Sequence, residues 1–280
     1  MKRIINSLLI LILVLSSCSS TKTEKKDIYL QLYSVRSEIS KDFEETLDSV
    51  AQMGYTGIEA ASYSDGTFYG LSPEKFKAAI ESRNMTVLSS HIVKALNNVP
   101  SETNWEETWN WWDQAIKAHK EAGMKYIVTA WMPKPANLAD LQMYCDYYNK
   151  IGEKCKEAGL RFGYHNHNFE FTKVEDELMY DYMLKNTDPK KVFFEMDVYW
   201  VVRGGKSPVD YFNNYPGRFE LLHIKDNKEL GQSGMVGFDA ILKNIKTAGC
   251  KHMIVEVEQY SMDVFESVDE SYQYLYKMIK

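Results

Sequence analysis

Several features are scarce or missing in this chain. It has only four cysteines: Cys18, Cys145, Cys155 and Cys250. With Cys18 set aside for the reason given below, three remain, an odd number that argues against a full disulfide framework. Cys145 and Cys155 alone cannot complete a zinc knuckle, and all three read as structural. Positive charge is not in excess. There are 33 Lys and Arg against 39 Asp and Glu, a formal net charge of −6. That balance argues against a nucleic-acid binder, which usually presents a basic face. Low complexity is absent too. With 45% apolar and 26% charged residues, the composition is that of a globular protein. A length of 280 residues suits one domain of about 250 residues or two small ones. What is plentiful is aromatic: 13% of the chain, with 19 Tyr and 6 Trp. That supply suits ring or sugar binding as well as core packing.

The apolar run Ile4 to Leu15 follows the positive pair Lys2 and Arg3. At about 12 residues it is too short to cross a bilayer core of roughly 30 Å, and it reads as the apolar region of a secretory signal. Leu15, Ser16, Ser17 and Cys18 follow in the form of a bacterial lipobox. The expectation is a signal peptide over 1–17, a lipidated Cys18 opening a tether over 18–27, and a folded domain over 28–280. Cleavage before Cys18 would leave 31 basic and 39 acidic residues, a net −8. The protein would then be anchored to a membrane outside the cytoplasm, periplasmic or at the surface, through lipid alone.

A unit repeats along the remainder. Ala122-Gly123, Ala158-Gly159 and Ala248-Gly249, with Met53-Gly54, each end an amphipathic stretch of helical spacing. Glycine suits the left-handed residue that closes a helix. A short apolar run follows each, as a doubly buried parallel strand requires. Similar runs follow Asn84, Asp188-Pro189 and Pro216-Gly217, and Ile28 opens the series. Eight strands are predicted, starting near residues 28, 56, 85, 125, 160, 192, 219 and 252. Their spacing of roughly 27 to 40 residues fits one βα unit each, and eight units make a single (β/α)8 TIM barrel of the α/β class. A doubly wound open sheet is the alternative. It is weakened by the lack of a Gly-rich phosphate fingerprint after the first strand.

Barrel enzymes place their sites at the C-terminal ends of the strands. Polar residues gather there: Gln31 and Tyr33, Glu59, His91, Trp131, the run Tyr164 to Glu170, Glu195 and Asp197, His223 to Asp226, and Glu256 with Glu258. Buried carboxylates cost several kcal/mol unless paired, bonded or metal-bound. Four successive strands ending in Asp, Glu or His therefore call for a counter-charge, and a divalent metal is the economical one. Carboxylates with an imidazole suit Mn, Co, Mg or Zn rather than a thiol-seeking metal.

These motifs, in this order, resemble the xylose isomerase-like barrel superfamily, in particular its sugar phosphate isomerase/epimerase group, over essentially the whole of 28–280. They are Gln31 to Arg36, Gly54 to Glu59, Tyr164 to Phe171, Glu195 to Trp200, His223 to Asp226 and Val255 to Glu258. The resemblance implies a metal quartet at Glu170, Asp197, His223 and Glu256. His165 stands where ketose epimerases carry the first glutamate, so His165 and Glu170 are alternatives. Glu256 and Glu258 share a side by strand alternation, so either one can be the ligand on strand 8. The reaction implied is proton abstraction beside a carbonyl of a keto-sugar, through an enolate held by the metal. His167 and Glu256, with Glu170, are the candidate catalytic groups. His91, Trp131, His165, Trp200, Lys225 and Glu258 are the candidates for holding a small carbohydrate substrate. Isomerisation or epimerisation is the first expectation. The second is a lyase or dehydratase that expels water or an aglycone from a keto-polyol or 3-keto-glycoside. A non-catalytic sugar-binding lipoprotein is an alternative of another class. A nuclease with three metals is disfavoured by the six His and the negative charge. An oligomer is compatible with the pattern.

Overall fold

The computed structural model describes residues 26–279. The expected signal peptide and Cys18 lie outside the described residues. Eight parallel strands form a closed barrel: β1 (Ile28–Gln31), β2 (Gly57–Ala60), β3 (Thr86–Ile92), β4 (Tyr126–Thr129), β5 (Arg161–His165), β6 (Val192–Asp197), β7 (Leu221–Lys225) and β8 (His252–Glu256). Each pairs with its sequence neighbours, and β8 closes on β1. A short hairpin, Lys173–Val174 with Glu177–Leu178, is inserted after β5. Among the described residues, no helix is long and apolar enough to cross a membrane.

Local signals set the boundaries of the elements. The helix Phe43–Met53 opens on Asp42, whose side chain accepts the Glu45 N–H, and it closes on Gly54 at φ 108°. The same left-handed stop recurs at Gly123, Gly159 and Gly249. At Gly249 the need is also steric, because an added Cβ would lie 2.7 Å from the Cα of Gly217.

Two apolar layers divide the barrel by strand alternation. Outward residues such as Ile58, Ile127, Phe194 and Leu222 pack on the surrounding helices. Inward residues Tyr29, Leu88, Tyr126, Val128, Phe193, Leu221 and Ile254 form a separate plug at the strands' N-terminal end. Tyr126 meets Phe193 edge to face with centroids 5.3 Å apart. Below the plug, Glu220 accepts from Lys251 at 2.8 Å and from Arg161. Burial opposes the charge on Glu220, but these two cations hold its carboxyl below the usual value. The chain enters β1 from this floor. Lys26 donates to the Tyr276 carbonyl at 2.7 Å and lies 4.4 Å from that ring's centroid. Tyr276 is in the last helix, Val264–Met278.

Candidate active site

Above the plug, the inward positions change from apolar to ionisable. On β6 the inward series is Phe193, Glu195, Asp197; on β7 it is Leu221, His223, Lys225; on β8 it is Ile254, Glu256. A register shift between β2 and β3 sets two residues, Leu88 and Ser89, against Glu59. The bulge lets Leu88 join the plug while Ser89 donates to Glu59 at 2.6 Å.

The deeper group is a hydrogen-bonded network in which Glu195 Oε1 is left buried without a partner. His91 Nε2 lies 2.6 Å from Glu195 Oε2 and 3.0 Å from Glu59 Oε1. His223 Nε2 lies 2.7 Å from Glu59 Oε1, to which Gln31 also donates at 2.8 Å. Burial alone would raise the Glu59 carboxyl. The His91 charge and bonds from both imidazoles outweigh that and hold it well below the usual range. Glu195 goes the other way, raised by burial and then by the Glu59 charge. His91 loses by burial but gains more from the two carboxylates, which push it up to about 10. Sequence reasoning gave Glu59 and Glu195 no role. Their position at strand ends was visible, but their pairing across the barrel was not.

The upper group is not closed. One ligand atom each from His165, Asp197, His223 and Glu256 lies within 4.8 Å of all the others. Asp197 caps the helix Val198–Arg203, accepting the Trp200 N–H through Oδ1 at 2.9 Å. Its Oδ2 is buried without a hydrogen-bond partner, as are both ring nitrogens of His165, with Nε2 3.6 Å away. Burial outweighs the Lys225 charge and the Trp200 bond and pushes Asp197 up to about 7; burial also pushes His165 well below its ordinary value. An unpartnered buried carboxylate oxygen and a neutral imidazole, 3.6 Å apart, fit a divalent cation. His91, His165, Glu195 and His223 form a second converging set. It fits less well, because His91 is bonded to both Glu195 at 2.6 Å and Glu59 at 3.0 Å, whereas the upper set pairs the unpartnered His165 with the unpartnered Asp197 Oδ2 beside the bonded His223 and Glu256.

The other candidates fall around these four. Glu170 is not brought into the group. It sits in the turn Phe169–Phe171, where its carboxyl accepts from Tyr164 Oη at 2.7 Å and from the His167 N–H at 2.9 Å. Burial pushes it up to about 7. The structure thus sets His165 where the sequence reading preferred Glu170, and Glu170 instead fastens the turn that carries His167. Burial pushes His167 down to about 4, so its imidazole is neutral at neutral pH. Lys225 is buried between Glu256 at 3.0 Å and Glu258 at 2.7 Å. Burial works against its charge, but Glu256, Asp197 and Glu258 raise it and keep it protonated. Two of its three protons are spent on these partners. Trp200 is half-buried behind Lys225, with Nζ 5.4 Å from its ring. It supports that lysine and does not line the cavity.

A cavity of about 590 Å³ opens over the group, lined by His91, His165, His167, Glu256, Glu258 and, at the mouth, Trp131. Trp131 is 47% exposed. The volume lies within the roughly 300–1,000 Å³ range of small-molecule sites.

With this geometry in place, the relatives become informative. A family model described as xylose isomerase-like TIM barrel matches residues 47–278. A sugar phosphate isomerase/epimerase from Parabacteroides distasonis superposes with a TM-score of 0.87 at 33% identity, covering 95% of this chain and 99% of that one. The inosose dehydratase of Lacticaseibacillus casei is 26% identical over 213 residues, 69% of this chain and 66% of its own length. The chain thus spans just under two thirds of that relative. The IolI protein with a bound zinc atom shares the fold, with a TM-score of 0.70 at 14% identity over 91% of this chain and 98% of that one. Two of these relatives, the isomerase/epimerase and the dehydratase, are named as enzymes that act on carbohydrates.

Proposed function

The chain belongs to the xylose isomerase-like TIM barrel family, and from that premise we propose a divalent-metal-dependent carbohydrate enzyme that works beside a carbonyl of a keto-sugar or keto-polyol. It removes the proton from the adjacent carbon and expels a group from the next one, a lyase or dehydratase reaction. The observation that carries this reading is the pairing in one cavity of a neutral base, His167, with His165 and Glu256, which converge with the fully buried Asp197 and His223. Those four side chains would hold the metal. When bound, it supplies a Lewis acid that stabilises negative charge developing on the substrate's carbonyl oxygen.

The chain's own groups do the rest. His167 accepts the proton at a ring nitrogen, which its depressed basicity leaves free at neutral pH. The C–H electrons form the new C–C double bond and the carbon–oxygen bond to the leaving group breaks. The imidazolium returns its proton to the departing oxygen. Lys225 does not line the cavity; it holds Glu256 and Glu258, which do, in place. The deeper network fixes His223 from behind through Glu59.

Epimerisation or isomerisation is the second reading. It shares the first step, and the Parabacteroides relative carries that name. Epimerisation needs a second group to return a proton on the other face, and Lys225 and His223 hold Glu256, the carboxylate lining the same cavity, well below the usual range. That disfavours its returning a proton. We further propose that the chain is exported and anchored through a lipid on Cys18.

The test is product NMR in D2O on the metal-loaded protein with keto-glycosides and keto-polyols. An unsaturated product with release of alcohol or water supports elimination. A deuterated epimer or isomer instead would replace it with the second reading. His167→Gln is expected to lower turnover by about 10²–10⁴-fold while metal content stays at the wild-type level.

A further inference from the structure

Beside the catalytic cavity lies a second one of about 440 Å³. The two share a wall made by Tyr33, Ala61 and Ser62. Their chemistry differs. The catalytic cavity presents imidazoles and carboxylates, whereas the second is lined by Leu32, Ile39, Phe43 and Tyr69, with Arg36 as its ion.

The dividing residue is built in place. Tyr33 is 43% exposed, high for an aromatic ring. The Arg36 guanidinium lies 4.2 Å from its centroid. That guanidinium is itself held by the Tyr33 carbonyl at 2.8 Å, Tyr260 Oη at 3.0 Å and the Glu258 carbonyl at 3.1 Å. A stacked, tethered cation stiffens the ring at a rim where a free side chain would lose entropy on binding. Tyr69 is fixed as well, since its Oη accepts the Ala61 N–H at 2.9 Å.

A single sugar ring leaves the second cavity unused. We infer that the site takes a two-ring substrate: a hydroxyl-rich ring over His165, His167 and Glu256, joined to an apolar, flat ring that crosses Tyr33 into the cavity of Ile39, Phe43 and Tyr69. This deepens the proposed function and rests on it, because in an elimination the second ring is the leaving group. Apolar surface buried against Phe43 and Tyr69 contributes binding that a methyl group in the same position lacks.

The experiment is calorimetric titration of the zinc-loaded full chain with methyl and 4-nitrophenyl glucopyranosides, both anomers of each. None of them carries a ketone, so binding is read without turnover. The 4-nitrophenyl compound of one anomer is expected to bind at least tenfold more tightly than its methyl partner. Ile39→Trp, which fills the second cavity, is expected to abolish that difference and leave the methyl glycoside unchanged. Circular dichroism and the melting temperature report whether the variant folds, and Phe43→Ala, which enlarges the cavity, serves if it does not. It is expected to reduce the difference while sparing the methyl glycoside. Equal affinity for methyl and nitrophenyl compounds overturns the second-ring subsite and leaves the sugar site standing. Equal losses for both ligands in a folded variant overturn it too. Failure of every glycoside to bind the metal-loaded protein overturns the carbohydrate reading itself, and the subsite with it.

Discussion

The floor and the mouth of this barrel are made by the same strands and obey different rules. At the floor, Tyr29, Tyr126, Phe193, Leu221 and Ile254 bury apolar surface against one another, and the nearby carboxylate, Glu220, has two cations. At the mouth, two or four residues further along the same strands, Asp197 Oδ2 and His165 are buried with no partner. A fully buried large apolar side chain contributes about 1.5–3 kcal/mol, whereas an unsatisfied buried polar group costs about 1–3 kcal/mol. The lower layer therefore supplies stability that the upper layer spends on a binding site.

The sharpest break of this contrast is Asp197→Ala. If the open group is a metal site, turnover falls by about 10³-fold or more, and elemental analysis finds the metal gone from a chain that still melts cooperatively. Metal retained at one ion per chain would shift the ligand set to the deeper group. Next is the floor. Phe193→Ala is expected to cost about 3–5 kcal/mol of stability by denaturant titration, with the folded fraction binding zinc as the wild type does. Weakened zinc binding there would show that the two layers are not separable.

Third, Glu59→Gln probes the link between them. Its carboxylate holds His223 from the side away from Glu256. Partners of that kind typically change metal affinity by about 10–100-fold, and zinc titration measures the loss. Unchanged affinity would make the deeper network purely structural.

The smallest effect comes from a carboxylate at the mouth that is satisfied. Glu229, in the loop after β7, accepts from the Ser261 N–H at 2.8 Å, Ser261 Oγ at 2.7 Å and Ser267 Oγ at 2.7 Å. Burial opposes its charge, but these donors lower it from 4.5 to about 2. Since the folded value lies below the unfolded one, the stabilisation is complete above about pH 4.5 and lost as pH falls toward about 2. Melting temperature against pH should therefore fall less steeply over that window in Glu229→Gln. An unaltered slope would assign the acid limb to other groups.

Much of the fold was legible because its signals are local. A glycine after a helical stretch and an apolar run after the glycine mark each unit within about ten residues. All eight strands appear within two residues of the predicted starts. The strand ends named the site's neighbourhood for the same reason. Which side chain turns inward was less visible. Glu170 and His165 are five residues apart, and the choice between them depends on the turn Phe169–Phe171, which folds Glu170 back onto Tyr164. Glu59 and His223 meet from opposite halves of the chain, and nothing local in either segment encodes that contact. The bulge that aims Ser89 at Glu59 is equally silent in sequence.

The fastening of Lys26 to Tyr276 has a consequence for how the molecule is moored. Both lie at the closed floor, so Lys26 stands at the end of the barrel opposite its cavity. If the proposed lipid anchor holds the chain there, it grips the protein by its heel and leaves the entrance turned outward. Such an anchor would leave the doorway clear.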